Sequence, residues 1–149
     1  MSNRDRAESE RIYPQYPRLG VGVLVIHHQK VLLVKRGQEP KKGIWTIPGG
    51  LVKLGEPVLK AAHRELWEEC QIKVHINRLL DVFEFIDKDH EQRIRYHYTV
   101  LEYLAEWREG DIHPGSDVAK ASWFSVHDLD HLETTVDTRR LIDKALNPI

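Results

Sequence analysis

Apolar positions open the chain in two β-branched runs, GVGVLVI at residues 20–26 and KVLLVKR at 30–36, separated by the polar HHQ. Two short runs joined in this way predict a hairpin. GQEPKKG at 37–43 breaks the pattern with its glycines and proline and reads as a loop, and IWTIP at 44–48 reads as a short strand ended by Pro48. Between Pro57 and Cys70, the residues Leu59, Ala62, Leu66 and Cys70 recur at helical spacing, a stripe able to pack on a sheet. Strand character returns in 73–87 and 92–107, two long segments joined by the polar KDHE. EGDIHPGSD at 109–117 is a loop, AKASWFSV at 119–126 a strand, and DTRRLIDKAL at 137–146 a closing helix. Strands outnumber helices, with one helix mid-chain and one at the end. The expected class is therefore α/β, with a mixed sheet packed between helices.

Length and composition narrow the picture. A chain of 149 residues matches one domain, with 41% hydrophobic and 30% charged residues and a formal charge of -1. Residues 1–17, charged and bearing two prolines, read as a flexible arm before a domain at 18–149. The near-neutral balance gives no electrostatic footprint for duplex nucleic acid, which would need a basic face, and leaves room for a local basic patch. No apolar run approaches the ~20 residues of a membrane helix, and the N-terminus has no apolar centre of a secretory signal. The single cysteine, Cys70, excludes an intrachain disulfide and a cysteine zinc cluster. Cytoplasm is the expected location. Cys70 lies on the packing stripe and is expected to be an inert buried thiol.

The chemistry concentrates on the central helix. Pro57 suits a first helical position, which makes Glu56 the expected cap. At about 100° per residue, Glu65, Glu68 and Glu69 share one face beside the apolar stripe, with the small Ala61 among them. Like charges at this spacing repel by roughly 0.2–0.5 kcal/mol per pair. Arg64, one turn before Glu68, can brace it. A solvated acidic face is the plain alternative, but these acids border the packing stripe and follow the Gly49-Gly50 turn. Hard cations such as Mg²⁺ and Mn²⁺ take oxygen ligands, often a few carboxylates, water and substrate phosphate. A bound cation would remove the repulsion.

Gly50, five residues, Glu56, seven residues and then RELWEECQI at 64–72 resembles the Nudix box, G-x5-E-x7-R-E-U-x-E-E-x-G-U, where U is bulky and aliphatic. Gly50, Glu56, Arg64, Glu65, Leu66, Glu68, Glu69 and Ile72 all match; Gln71 stands where the box has glycine. The resemblance implies a Nudix α/β/α sandwich over roughly residues 18–147, and hydrolysis of a nucleoside diphosphate linked to another group. It also implies Mg²⁺ or Mn²⁺ on Glu65, Glu68 and Glu69, with Glu56 more distant and a carbonyl of Gly49 or Gly50 joining. Arg64 resembles the arginine that orients the glutamates, and Glu69 is either ligand or base. A homodimer is open, and the partner is a small nucleotide, not nucleic acid or membrane.

Other residues carry weaker signals. Asp117 stands in the loop where relatives resembling ADP-ribose pyrophosphatases carry a catalytic glutamate; the alternative is a turn-forming aspartate. Arg36, at the end of its strand, is a candidate phosphate contact or an ordinary strand-end cation. Arg93, Arg95 and His97 alternate on one strand and share a face, which is either a wall of the substrate pocket or a solvated surface. Trp45 and Trp123 are expected in the core. Nine histidines form no H-E-x-x-H pair, so zinc is rejected. An ADP-ribose-like nucleotide sugar is the expected substrate, with triphosphate clearing and non-catalytic nucleotide sensing as rivals. Gln71 is expected to be a structural variation, since the carboxylates lie upstream of it.

Overall fold

The computed structural model describes residues 11–115 and 118–147. Its strands are β1 (Arg18–His27), β2 (Lys30–Arg36), β3 (Trp45–Thr46), β4 (Gly49–Leu51), β5 (Lys73–Lys88), β6 (Ile94–Glu109) and β7 (Val118–Phe124). Helix α1 (Val58–Cys70) follows β4, and a 3-10 turn at Val126–His131 leads into α2 (Val136–Leu146). The sheet is mixed: β1 runs parallel to β6, and the other pairs are antiparallel. Among the described residues no helix is long and apolar enough to cross a membrane.

The expected hairpin of the first two strands is present, but it opens early. β1 and β2 pair only next to their turn, at Ile26↔Val31 and His27↔Lys30. Beyond that point β4 lines β1, β3 lines β2, and the backbone N–H of Val23 donates to the Pro48 carbonyl at 2.9 Å. β4 is the element the pattern missed. Gly49-Gly50 carries no side chains to signal a strand, and its pairing with Gly20 to Gly22 is a long-range contact.

The alternation of β1 and β2 sorts their side chains to two faces. Val21, Val23, Val25, Leu32 and Val34 pack with Ala61, Ala62, Leu66 and Cys70 of α1. Leu24, Val31 and Leu33 pack with Leu141 and Ile142 of α2. Two cores on one sheet make the three-layer arrangement. Trp123 packs against the first core; Trp45 packs against the second, edge-on to Phe124 at 4.9 Å.

Helix α1 differs from expectation at its N-terminal end. Pro57 is the N-cap, at φ -62° and ψ 142°, and Glu56 makes no capping bond. Leu59 is exposed while Ala61 is fully buried. The buried sector is thus turned toward Glu65 and Glu69, so two of the acids sit at the packing margin. At the far end Gln71 adopts the left-handed conformation, φ 58° and ψ 37°, as its place in the box implies. That conformation costs a side chain about 1–2 kcal/mol, partly offset by the extra freedom of glycine in the unfolded chain. Gln71→Gly should raise the melting temperature by about 2 °C with turnover unchanged. A melting curve that does not rise would show that Gln71 is held without strain.

Candidate active site

The splayed strands and α1 meet at the two glycines of β4. The N–H of Gly49 donates to Glu69 Oε2 at 3.1 Å. A Cβ on Gly49 would strike the Val21 carbonyl, and one on Gly50 would strike the Glu65 carboxylate. Backbone and acid are in contact here only because both positions lack side chains.

Arg64 gathers the acids. Its Nε donates to Glu56 Oε2 at 2.7 Å and its Nη2 to Glu56 Oε1 at 2.9 Å, a bidentate fork. Nη1 donates to Glu65 Oε1 at 2.8 Å and Glu68 Oε2 at 3.1 Å, and Nη2 also meets the Leu51 carbonyl at 3.0 Å. The repulsion among the acids is therefore already compensated by a guanidinium, before any cation binds. Arg64 and the Lys53 N–H hold the Glu56 carboxyl down at about 2. Burial pushes Glu65 the other way, above its ordinary value, against the pull of Arg64. Burial, then the charge of Glu69, raises the Cys70 thiol to about 12, so it stays protonated and inert.

The loop before β7 closes the end of α1. The N–H of His113 donates to the Cys70 carbonyl at 2.9 Å and that of Gly115 to the Glu69 carbonyl at 2.8 Å. Gly115 packs so tightly that a Cβ would strike the Glu68 carbonyl. Asp117 lies outside the described residues.

A cleft of about 680 Å³ opens beside the acids. Arg64, Glu65, Glu68 and Glu69 line it, together with Arg11, Arg18, Arg36, Lys41 and Lys53. Arg36 thus does face the acids; its Nε donates to the Pro40 carbonyl at 2.6 Å, and burial lowers its pKa while the charge of Glu69 opposes that. Arg93 and Arg95 are not part of the cleft lining. Arg93 pairs with Asp89 at 2.9 Å and Arg95 with Asp87 at 2.7 Å, both at the exposed β5–β6 tip. Tyr13, within the expected arm, docks there through Arg95 O and Asp89 Oδ2, each at 2.8 Å. The alternate face of β6, Tyr98, Val100 and Glu102, is the one that lines the cleft. A period of two decides between the faces, and only the neighbouring strands say which is inward. Glu102 went unnoticed in the sequence; its one signal is an acid inside the apolar run TVLEYLA.

Among the described residues no three His, Cys, Asp or Glu side chains converge on one point as metal ligands do. Arg64 stands among the carboxylates where they would. The donor set nevertheless suits a hard divalent cation: carboxylate oxygens of Glu56, Glu65, Glu68 and Glu69, with β4 backbone held against them by glycine.

Comparison with known proteins places this geometry. The sequence profile of the NUDIX domain matches residues 16–145. An ADP-ribose pyrophosphatase from Methanocaldococcus jannaschii is 31% identical over 117 residues, covering 78% of this chain and 67% of that protein. A diphosphoinositol polyphosphate phosphohydrolase 2 from Rattus norvegicus is 38% identical over 99 residues, 66% of this chain and 51% of that protein. The chain thus spans about half the length of that second relative. The crystal structure of a MutT NUDIX hydrolase from Burkholderia pseudomallei superposes with a TM-score of 0.75 at 31% identity, over 87% of this chain and 98% of that one. With profile, relatives and architecture in agreement, the chain belongs to the Nudix hydrolases, a family of divalent-metal enzymes acting on pyrophosphate bonds.

Proposed function

We propose that this protein hydrolyses the pyrophosphate of a nucleoside diphosphate linked to another group, with an ADP-ribose-like nucleotide sugar as substrate. The observation that carries the reading is the Arg64-braced set of carboxylates on α1, facing a cleft lined with cations. Glu65, Glu68 and Glu69 would hold Mg²⁺ or Mn²⁺, with Glu56 behind them and a β4 glycine carbonyl beside them. When bound, the cation neutralises charge developing on the phosphates and lowers the pKa of water. Arg64 orients the carboxylates. Arg36 and its neighbouring cations draw the diphosphate in and fix its direction across the acids. Glu69, at the packing margin, is either a ligand or the base that takes the proton of the attacking water, and Asp117 is the candidate base from the loop before β7. The name of the Methanocaldococcus jannaschii relative supports the ADP-ribose assignment. A second reading, a more densely phosphorylated substrate, draws on the same cations and on the diphosphoinositol relative.

Phosphate release should be measured from ADP-ribose, other nucleotide sugars, dinucleoside polyphosphates, each triphosphate and a diphosphoinositol polyphosphate, with Mg²⁺, Mn²⁺ or excess EDTA. The expected result is highest kcat/KM for ADP-ribose, none in EDTA, and slowed turnover in Asp117→Asn. Preference for triphosphates with Asp117→Asn fully active would move the assignment to nucleotide clearing.

A further inference from the structure

Just before β1 the chain reads YPQYP, and Tyr13 stands at φ 53°, a left-handed conformation directly ahead of Pro14. That conformation costs a side chain about 1–2 kcal/mol, and a following proline pushes a residue toward extended backbone instead. A residue so placed persists only where its surroundings hold it. Here the surroundings are the β5–β6 tip. The Tyr13 N–H donates to the Arg95 carbonyl and its hydroxyl to Asp89 Oδ2, each at 2.8 Å, and the Arg93 guanidinium lies 5.2 Å from its ring centre. Asp89 is fixed in turn, accepting from the backbone N–H groups of Glu91 and Arg93 and from Arg93 Nε.

The chain leaves this anchor in two directions. Forward, Pro14 and Pro17 limit its backbone freedom, and Arg18 enters the sheet opposite Tyr98. Backward, only two residues away, Arg11 lines the cleft together with Tyr98, whereas Tyr13 is not part of the lining. Burial raises the Tyr98 phenol, and the charge of Arg11 opposes it. Arg11 is half-buried, and among the described residues its guanidinium makes no ion pair. Other guanidiniums of the cleft are engaged: Arg36 Nε is bonded to the Pro40 carbonyl, and Arg64 to the carboxylates. A planar fork with open donors suits a pair of phosphate oxygens.

We propose that Tyr13 is a positioning residue: by pinning residues 11–17 to the β5–β6 tip it holds Arg11 over the cleft, where the guanidinium contacts the diphosphate of the substrate. The inference deepens the proposed function and rests on it for the diphosphate. Arg93 and Arg95 then serve the cleft through Tyr13 without lining it.

Calorimetric titration of the full chain with α,β-methylene-ADP and Mg²⁺, and with adenosine as the phosphate-free control, tests it without turnover. Arg11→Gln should weaken binding of the diphosphate about tenfold, the size of one lost charge-assisted hydrogen bond, and leave adenosine unchanged. Tyr13→Ala should weaken it by a similar factor, although Tyr13 lies outside the cleft. The double variant should bind no more weakly than Arg11→Gln alone, because Tyr13 acts only through Arg11. Arg11→Lys should recover part of the loss beside Tyr13 and none of it beside Tyr13→Ala. Neither residue belongs to a core, so melting curves should show every variant folded. Additive losses in the double variant, a loss that also appears with adenosine, or full affinity in Arg11→Gln would overturn the proposal, as would a wild type that does not bind the probe. A chain that shows the coupled loss but hydrolyses no nucleotide sugar keeps Tyr13 and Arg11 in these roles and removes only the substrate reading. Hydrolysis of ADP-ribose with no coupled loss does the reverse.

Discussion

Glu68→Gln and Glu69→Gln should each lower turnover by about two orders of magnitude or more, in line with losing electrostatic stabilisation of the transition state. The two carboxylates flank the exposed and buried margins of one helical face. Glu68 is exposed and reaches Arg64 from solvent, whereas Glu69 is half-buried and accepts from the Gly49 N–H. A glutamine oxygen can still accept both bonds, so neither substitution should unfold the chain. Losing one negative charge also relieves repulsion along α1. Melting temperature without metal should hold steady or rise, while calorimetric affinity for Mn²⁺ falls in both variants. Full turnover with unchanged Mn²⁺ affinity would show that the acids of α1 are structural only.

Arg64→Ala should damage the same site from behind. It removes the fork to Glu56 and the links to Glu65, Glu68 and the Leu51 carbonyl, leaving three acids facing one another. A cost of about 2 kcal/mol is expected, less than for a fully buried ion pair because water still reaches the guanidinium, and it corresponds to a fall in melting temperature of about 4–8 °C. Acid sensitivity should change as well. The folded Glu56 carboxyl sits at about 2, below its ordinary 4.5. The unfolded chain therefore takes up a proton at higher pH than the folded one. The stability this contributes is complete above about 4.5 and is lost as pH falls toward 2. Without Arg64 the carboxyl returns toward its ordinary value, and this part of the acid-induced fall in melting temperature should flatten. Arg64→Lys should recover little, because a point charge cannot replace a planar fork. An unchanged acid limb in Arg64→Ala would mean that the Arg64 fork does not hold Glu56 down.

The order of strands and helices was readable because each long element has a repeating apolar pattern of its own. β1 and β2 alternate, α1 carries Ala62, Leu66 and Cys70 on one side, and the box residues are fixed by spacing along a single helix. Helical geometry alone puts Glu65, Glu68 and Glu69 on one face, and the box glycine position marks Gln71 as the end of the helix, where a left-handed residue is favoured. These are local facts, set within a few turns of chain.

Whatever depended on two distant segments meeting was decided only in the folded molecule. β4 exists because Gly49 and Gly50 find β1, and glycine has no side-chain pattern to announce it. Arg64 could be read as a brace for Glu68, but its fork to Glu56 requires the loop after β4 to turn back onto the helix. The inward face of β6 went to Tyr98, Val100 and Glu102 and not to Arg93, Arg95 and His97, because alternation supplies two equal faces and only packing chooses between them. Glu102 and Asp137 of α2, 35 positions apart in sequence, line one cleft for the same reason: the sheet and the second core, not the spacing of acids, bring them there.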